Sequence, residues 1–244
     1  MTVFALLLSV LVPACSYGQS FKEANQLYKE GRYEQAVEYY ESALKQGFES
    51  GNLYYNLGNS YFKKGELGRA LLNYERAKFF IPHDSDLRSN HDFVRSALDL
   101  PKRYSREKWF FRWLDRLFDD MGANGLTLLI SAMWISLLAL LSAALFMPAL
   151  KRPSAWLGAF LAVFLIICSI ALARKISYYE HGAIVITKEA QAKFEPADSA
   201  TTYFKLTEGA SVMMIDRSQD WVKVRRPDSK IGWVQAASIE KIKN

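Results

Sequence analysis

The residues able to do covalent or metal chemistry are few and poorly spaced for it. Three histidines, His83, His91 and His181, lack metal-ligand spacing, and the two cysteines, Cys15 and Cys168, lie in apolar runs with no Cys-x-x-Cys pair. There is no Gly-rich phosphate loop, no His-Glu-x-x-His and no Gly-x-Ser-x-Gly. Asp84-x-Asp86 lacks the Gly and distal Glu of a calcium loop and reads instead as a helix start. Asp119-Asp120 reads as a solvated pair. The expectation is a chain that is not an enzyme and holds no metal or cofactor. What remains is recognition chemistry: the amides Asn25, Asn56 and Asn59 with Tyr55 and Lys63, and the aromatics Tyr203, Trp221 and Trp233. To these add the aromatic-basic set Trp109, Phe110, Arg112, Trp113 and Arg116, and the thiol of Cys15 as a lipidation candidate.

The elements that position these groups are unevenly apolar. The chain has 244 residues, a net charge of +6 and 34 aromatics, enough apolar surface to exclude disorder. Met121 to Leu150 contains no charged residue, and neither does Pro153 to Ala173, which excludes a single soluble domain. Residues 1–120 carry a net +1, 121–173 a net +2 and 174–244 a net +3. The excess sits beside the apolar spans rather than on one dense cationic face, which points to membrane flanks and not to nucleic acid.

Leu126 to Phe146 and Ala155 to Ala173 are each long enough to cross a bilayer as a helix, for which about 20 residues suffice. With only Met147 to Ser154 between them, they form an antiparallel hairpin, spanning 122–147 and 154–173. Just before it, within 101–121, Trp109, Phe110, Trp113, Leu114 and Leu117 recur at helical spacing with Arg112 and Arg116 opposite, as a helix lying in the headgroup plane requires. Val3 to Pro13 is apolar but too short to span, and fits a signal peptide over 1–18. Ser16-Tyr17-Gly18 suits cleavage before Gln19, while Val12-Pro13-Ala14-Cys15 is similar to a lipobox; both readings stay open. Lys151 and Arg152 favour a cytoplasmic loop, whereas six basic residues against two acidic between Lys102 and Arg116 favour the reverse. Export led by a signal peptide overrides the charge count and puts both soluble parts outside.

Residues 24–48 overlay 58–82 at a constant offset of 34: Ala24/Gly58, Leu27/Tyr61, Gly31/Gly65, Ala36/Ala70, Tyr40/Tyr74 and Ala43/Ala77. Small residues let two helices approach, bulky ones fill between them, and each Gly closes a helix before a turn. This pattern resembles the tetratricopeptide repeat over about residues 20–100, with Ser85 to Leu100 as a capping helix. The resemblance implies a groove for peptides or partner domains, lined by Asn25, Tyr55, Asn56, Asn59 and Lys63. Phe21 and Asp86 stand where a carboxylate clamp would want Lys.

From Ala183 the pattern turns to short β-rich runs: Ala183–Thr187, Ala190–Phe194, Ser211–Asp216, Trp221–Arg225 and Gly232–Gln235. Leu206-x-Glu208-Gly209-x-x-Val212, Asp220-Trp221-Val222-Lys223-Val224 and Lys230-x-Gly232-Trp233-Val234 resemble the bacterial SH3-like domain, here 183–244. That resemblance implies a small closed barrel. Trp221 and Trp233 then either fill its core or, with Tyr203, contact a ligand such as a cell-wall (peptidoglycan) peptide.

The fold class expected is therefore multidomain: all-α repeat hairpins, a two-helix transmembrane hairpin and a small all-β barrel. The full order resembles the BatE-type proteins of the Bacteroides aerotolerance operon. This implies an inner-membrane scaffold, both soluble domains periplasmic, that assembles other Bat-type membrane proteins with von Willebrand A domains and works beside a MoxR-type ATPase complex. The alternative is an envelope-sensing or wall-binding membrane protein.

Overall fold

A computed structural model describes residues 19–100, 109–118, 121–147 and 151–243. Residues 1–18, expected to be a signal peptide and including Cys15, and the side chains of Arg112 and Arg116 lie outside the described residues. The chain forms two compact units: one from the segments before Glu107 and from His181 onward, the other from Glu107–Glu180.

The first unit begins with helices α1 (19–29), α2 (Tyr33–Lys45), α3 (Gly51–Lys63), α4 (Leu67–Phe80) and α5 (Ser85–Ala97). The repeat governs their ends as well as their faces. Gly31 and Gly65 adopt φ of 77° and 80°, and the following amides, Arg32 and Glu66, bond back to the Leu27 and Tyr61 carbonyls. A third copy follows: Asp99 takes φ of 48°, and the Leu100 amide bonds the Arg95 carbonyl. The starts repeat too, since Ser50 Oγ accepts from the Leu53 amide and Asp84 Oδ1 from the Leu87 amide, again 34 apart. So α5 is more than the expected cap. It has the start and the end of the first helix of a third unit.

Ala24, Ala36, Tyr40, Leu57, Tyr61, Ala70, Tyr74 and Ala77 are all in the buried core. A methyl at Gly58 would come 2.6 Å from the Tyr74 ring, so the small residue there permits the α3–α4 approach.

The C-terminal part of this unit is a seven-stranded antiparallel sheet: β1 (Gly182–Val185), β2 (Glu189–Lys193), β3 (Thr202–Thr207), β4 (Ser211–Ser218), β5 (Trp221–Arg225), β6 (Ile231–Gln235) and β7 (Ile239–Lys241). Two strands, β3 and β7, were not expected. The spatial order is β3-β2-β6-β5-β4-β1-β7, so the sheet is not closed and the expected barrel needs correction. The edge at β7 is protected in another way: the guanidinium of Arg76, from α4, donates to the carbonyls of Lys241 and Ile242, both at 2.8 Å.

The main sheet cluster is Val and Ala rich, with Phe204, Leu206 and Ile239; Trp221 is buried beside it rather than in it, and Trp233 is half-buried. Alternation explains why. Val222 and Val224 on β5 and Val234 on β6 point inward, so Trp221 and Trp233 take the opposite face. There Lys193 Nζ lies 5.3 Å from the Trp221 ring and Lys223 Nζ 5.5 Å from the Trp233 ring.

The second unit contains α6 (Trp109–Phe118), α7 (Ala123–Phe146) and α8 (Lys151–His181). Both α7 and α8 are long and apolar enough to cross a membrane. Only Ala123, Leu126 and Met133 of α7 are buried, while Leu128 is 72% and Leu145 79% exposed, the reverse of a soluble-core helix. The helix α8 outruns the expected 154–173 and ends one residue before β1. On α6, Leu114 and Phe118 join the buried core of this unit with Leu126 and Cys168. Leu114 therefore does not share the outward face of Trp109 (72% exposed) and Trp113, as the sequence pattern suggested. The Lys175 ammonium donates to the carbonyls of Phe118 and Met121, so this flanking cation caps the end of α6.

Candidate functional site

The helical repeats carry a ladder of amides and phenols with the same period. Asn25 Oδ1 accepts from Tyr40 (2.6 Å) and from Asn56 Nδ2 (2.8 Å). One repeat later, Asn59 Oδ1 accepts from Tyr74 (2.7 Å) and from Asn90 Nδ2 (3.0 Å). Asn90 also donates to the Tyr55 hydroxyl at 3.0 Å. The amide oxygens thus stitch α1 to α3 and α3 to α5, and burial raises the ionisation of Tyr40 and Tyr74 above the ordinary phenol value. Tyr61 is raised for the same first reason, with its hydroxyl donating to Glu41 as the second.

Beside this ladder lies a cleft of about 280 Å³. It is lined by Tyr28 of α1, by Tyr55, Asn59, Phe62 and Lys63 of α3, by Tyr74 of α4, and by Asn90, Phe93 and Val94 of α5. Three of the five groove residues read from sequence, Tyr55, Asn59 and Lys63, line it together. Asn25 and Asn56 belong to the ladder and are not among the lining residues. Sequence reasoning missed Phe62, Asn90 and Phe93, although position 93 continues the series of Asn25 and Asn59 at 34-residue steps. Phe93 is 61% exposed and meets Phe62 edge-on at 5.7 Å. Lys63 is the single charged residue of the lining. The volume is below the roughly 300–1,000 Å³ of small-molecule pockets, and the cleft suits side chains of a docked polypeptide.

On the sheet, Tyr203 stacks on exposed Phe194 at 4.5 Å, with Lys230 Nζ 5.8 Å above it. Tyr203 is not shown to join Trp221 and Trp233 in one ring cluster; each indole carries its own lysine. Another buried cluster escaped the sequence reading: His91 of α5 lies 3.1 Å from both Glu75 of α4 and Asp92. It ties α5 to α4. Among the described residues no three His, Cys, Asp or Glu side chains gather where they could hold a metal ion.

The repeated ends, capped starts and small-residue seams describe one kind of unit. Residues 24–65 match the TPR repeat family. This stretch covers α1 to α3, and the tetratricopeptide geometry continues through α5 by the ladder and the helix ends described above. No curated protein matches the chain. Tetratricopeptide repeats indicate protein partners in general, and the cleft offers such a contact aromatic side chains and a cation.

Proposed function

We propose that the protein is a non-catalytic adaptor, fixed to a membrane by the α7–α8 hairpin, that takes a segment of a partner protein in the α1/α3/α5 cleft. The observation carrying this reading is the open aromatic cleft with Lys63 on its wall, which suits an extended segment bearing an apolar side chain and a carboxylate. The hairpin reading draws support from the outward apolar faces of α7 and α8. Packing of the two flanking segments into one unit supports a chain that re-emerges on the side it entered. The resemblance to BatE-type proteins extends the proposal to a bacterial inner membrane with both soluble parts periplasmic. Its partners would then be Bat-type proteins with von Willebrand A domains, beside a MoxR-type ATPase, in tolerance of oxygen stress. Trp109, Phe110 and Trp113, with Arg112 and Arg116, would hold α6 at the lipid headgroups.

The test is capture of a von Willebrand A-domain partner by the full chain in native membranes. Phe93→Ala with Lys63→Glu should lower it about tenfold or more, as loss of a buried anchor and a charge contact would. Undiminished capture by that variant contradicts the reading.

One observation favours a second reading, binding of peptidoglycan peptides by the C-terminal sheet: Trp233 is half-buried, on a face with Lys223. Co-sedimentation of the full chain with purified wall, abolished by Trp233→Ala, would support it; no sedimentation would end it.

A further inference from the structure

The helices α3 and α5 carry their own caps, Ser50 and Asp84, whereas α2 and α4, which follow Arg32 and Glu66, make no side-chain cap bond of their own. For α4 the missing cap comes from the other end of the chain. Glu208, in the turn between β3 and β4, is buried, and its carboxylate accepts from the Gly68 amide in the first turn of α4 at 2.8 Å. Its second oxygen takes Lys188 at 2.6 Å. Two turns further along α4, Arg76 is also buried, with its side chain 3% exposed. It donates to the Lys241 and Ile242 carbonyls and pairs with Glu240 at 3.0 Å. The fit is close. A methyl on Gly68 would lie 2.8 Å from the Val185 carbonyl oxygen, and one on Gly209 would lie 2.5 Å from Leu98 of the α5 end.

We propose that the C-terminal sheet is the fixed end-piece of the helical stack, packed against α4 and the end of α5, and that Glu208 and Arg76 position the α5 wall of the cleft through it. A repeat stack needs such a terminal piece, because its last unit cannot bury its own face. The Glu208-Gly209 turn sits against Leu98 and Leu100, in the three residues after α5, and α5 supplies Asn90 and Phe93 to the cleft. The sheet is thus a positioning device for the site, and the cleft takes its final shape only once the chain beyond α8 has docked. This inference rests on the cleft being the docking site only for its functional meaning; the mechanical claim stands by itself.

The test is amide hydrogen exchange of the full-length protein in lipid nanodiscs, comparing wild type with Glu208→Ala and Arg76→Met. Amides of α5 and of the first turn of α4 should exchange about tenfold faster or more in both variants, with α2 unchanged, since exchange reads local opening. If a variant loses protection throughout, Arg76→Lys, which keeps the charge but loses the forked donor, is judged by the same criterion. Exchange of α5 within about twofold of wild type in a folded variant overturns the proposal. No ligand enters this measurement, so its failure leaves partner capture untouched, and loss of partner capture leaves the exchange result standing.

Discussion

The two sides of the helical stack are built to opposite ends. On one side the amide-phenol ladder leaves a cleft with exposed Phe93 and the ammonium of Lys63. On the other, α4 is sealed by the C-terminal sheet through buried charges, Arg76 and Glu208, each satisfied by backbone groups. Polar groups on the sealed side have their partners inside the molecule, whereas the cleft side presents apolar and cationic groups to solvent. The lesson is that a buried charge satisfied by backbone groups marks a joint, whereas the cation at the cleft stays open to a partner.

Alkali should produce the largest effect, and it acts on the ladder. Tyr40 and Tyr74 of the ladder, and Tyr61 bonded to Glu41 outside it, have folded ionisation raised above 10.0 by burial, so the folded state keeps these protons longer than the unfolded chain. Their stabilising contribution is complete below pH 10.0 and is lost as pH rises from there through the folded values. Circular dichroism against pH should show helix loss beginning above about pH 10, moved upward in Tyr74→Phe. A helix signal flat well past that point breaks the ladder half of the comparison.

Next comes the sealed side. Arg76→Met leaves two carbonyls and Glu240 without the guanidinium, a loss of about 2–4 kcal/mol, toward the low end of buried-pair costs. That placement follows from Glu240 being 40% exposed. Urea unfolding of the full chain in detergent measures it, and an effect below about 0.5 kcal/mol would make the joint a surface contact. Gly58→Ala pushes a methyl to 2.6 Å from the Tyr74 ring and should cost about 1–3 kcal/mol by the same titration. A neutral result would mean that α3 and α4 can slide apart. Smallest of the four, Tyr74→Phe removes the hydroxyl bonded to Asn59 and should cost about 1 kcal/mol. A markedly larger loss would show that the ladder acts cooperatively.

How much of this could be read from the chain follows from what each residue had to do. The first two units were legible because Ala24/Gly58 and Tyr40/Tyr74 must keep size at fixed spacing. The third was read only as a capping helix starting near Asp84, because its left-handed end passed to another residue type: Asp99 takes the position of Gly31 and Gly65. The two apolar helices were legible from charge exclusion alone, but the eight residues that extend α8 past Ala173 are mostly polar and carried no such signal. In the sheet, the motif residues stood out while the inward–outward alternation went unused; Val222 and Val224 flanking Lys223 already imply that Trp221 faces away from the main sheet cluster. The strand β7 is three residues long, too short for a periodic signal, and β3 ran into the Glu208-Gly209 turn motif that drew attention from it. Nothing local could reveal that α4 borrows its cap from a residue 140 positions away.

The most direct test of the central claim, that the α1/α3/α5 cleft is where a partner docks, is a photo-cross-linking side chain placed at Phe93 and, separately, at Trp233 of the full chain in its native membrane. The account predicts a defined protein adduct from position 93 that disappears with Lys63→Glu, and none from position 233. An adduct from position 233 alone, or one from position 93 indifferent to Lys63→Glu, would contradict it.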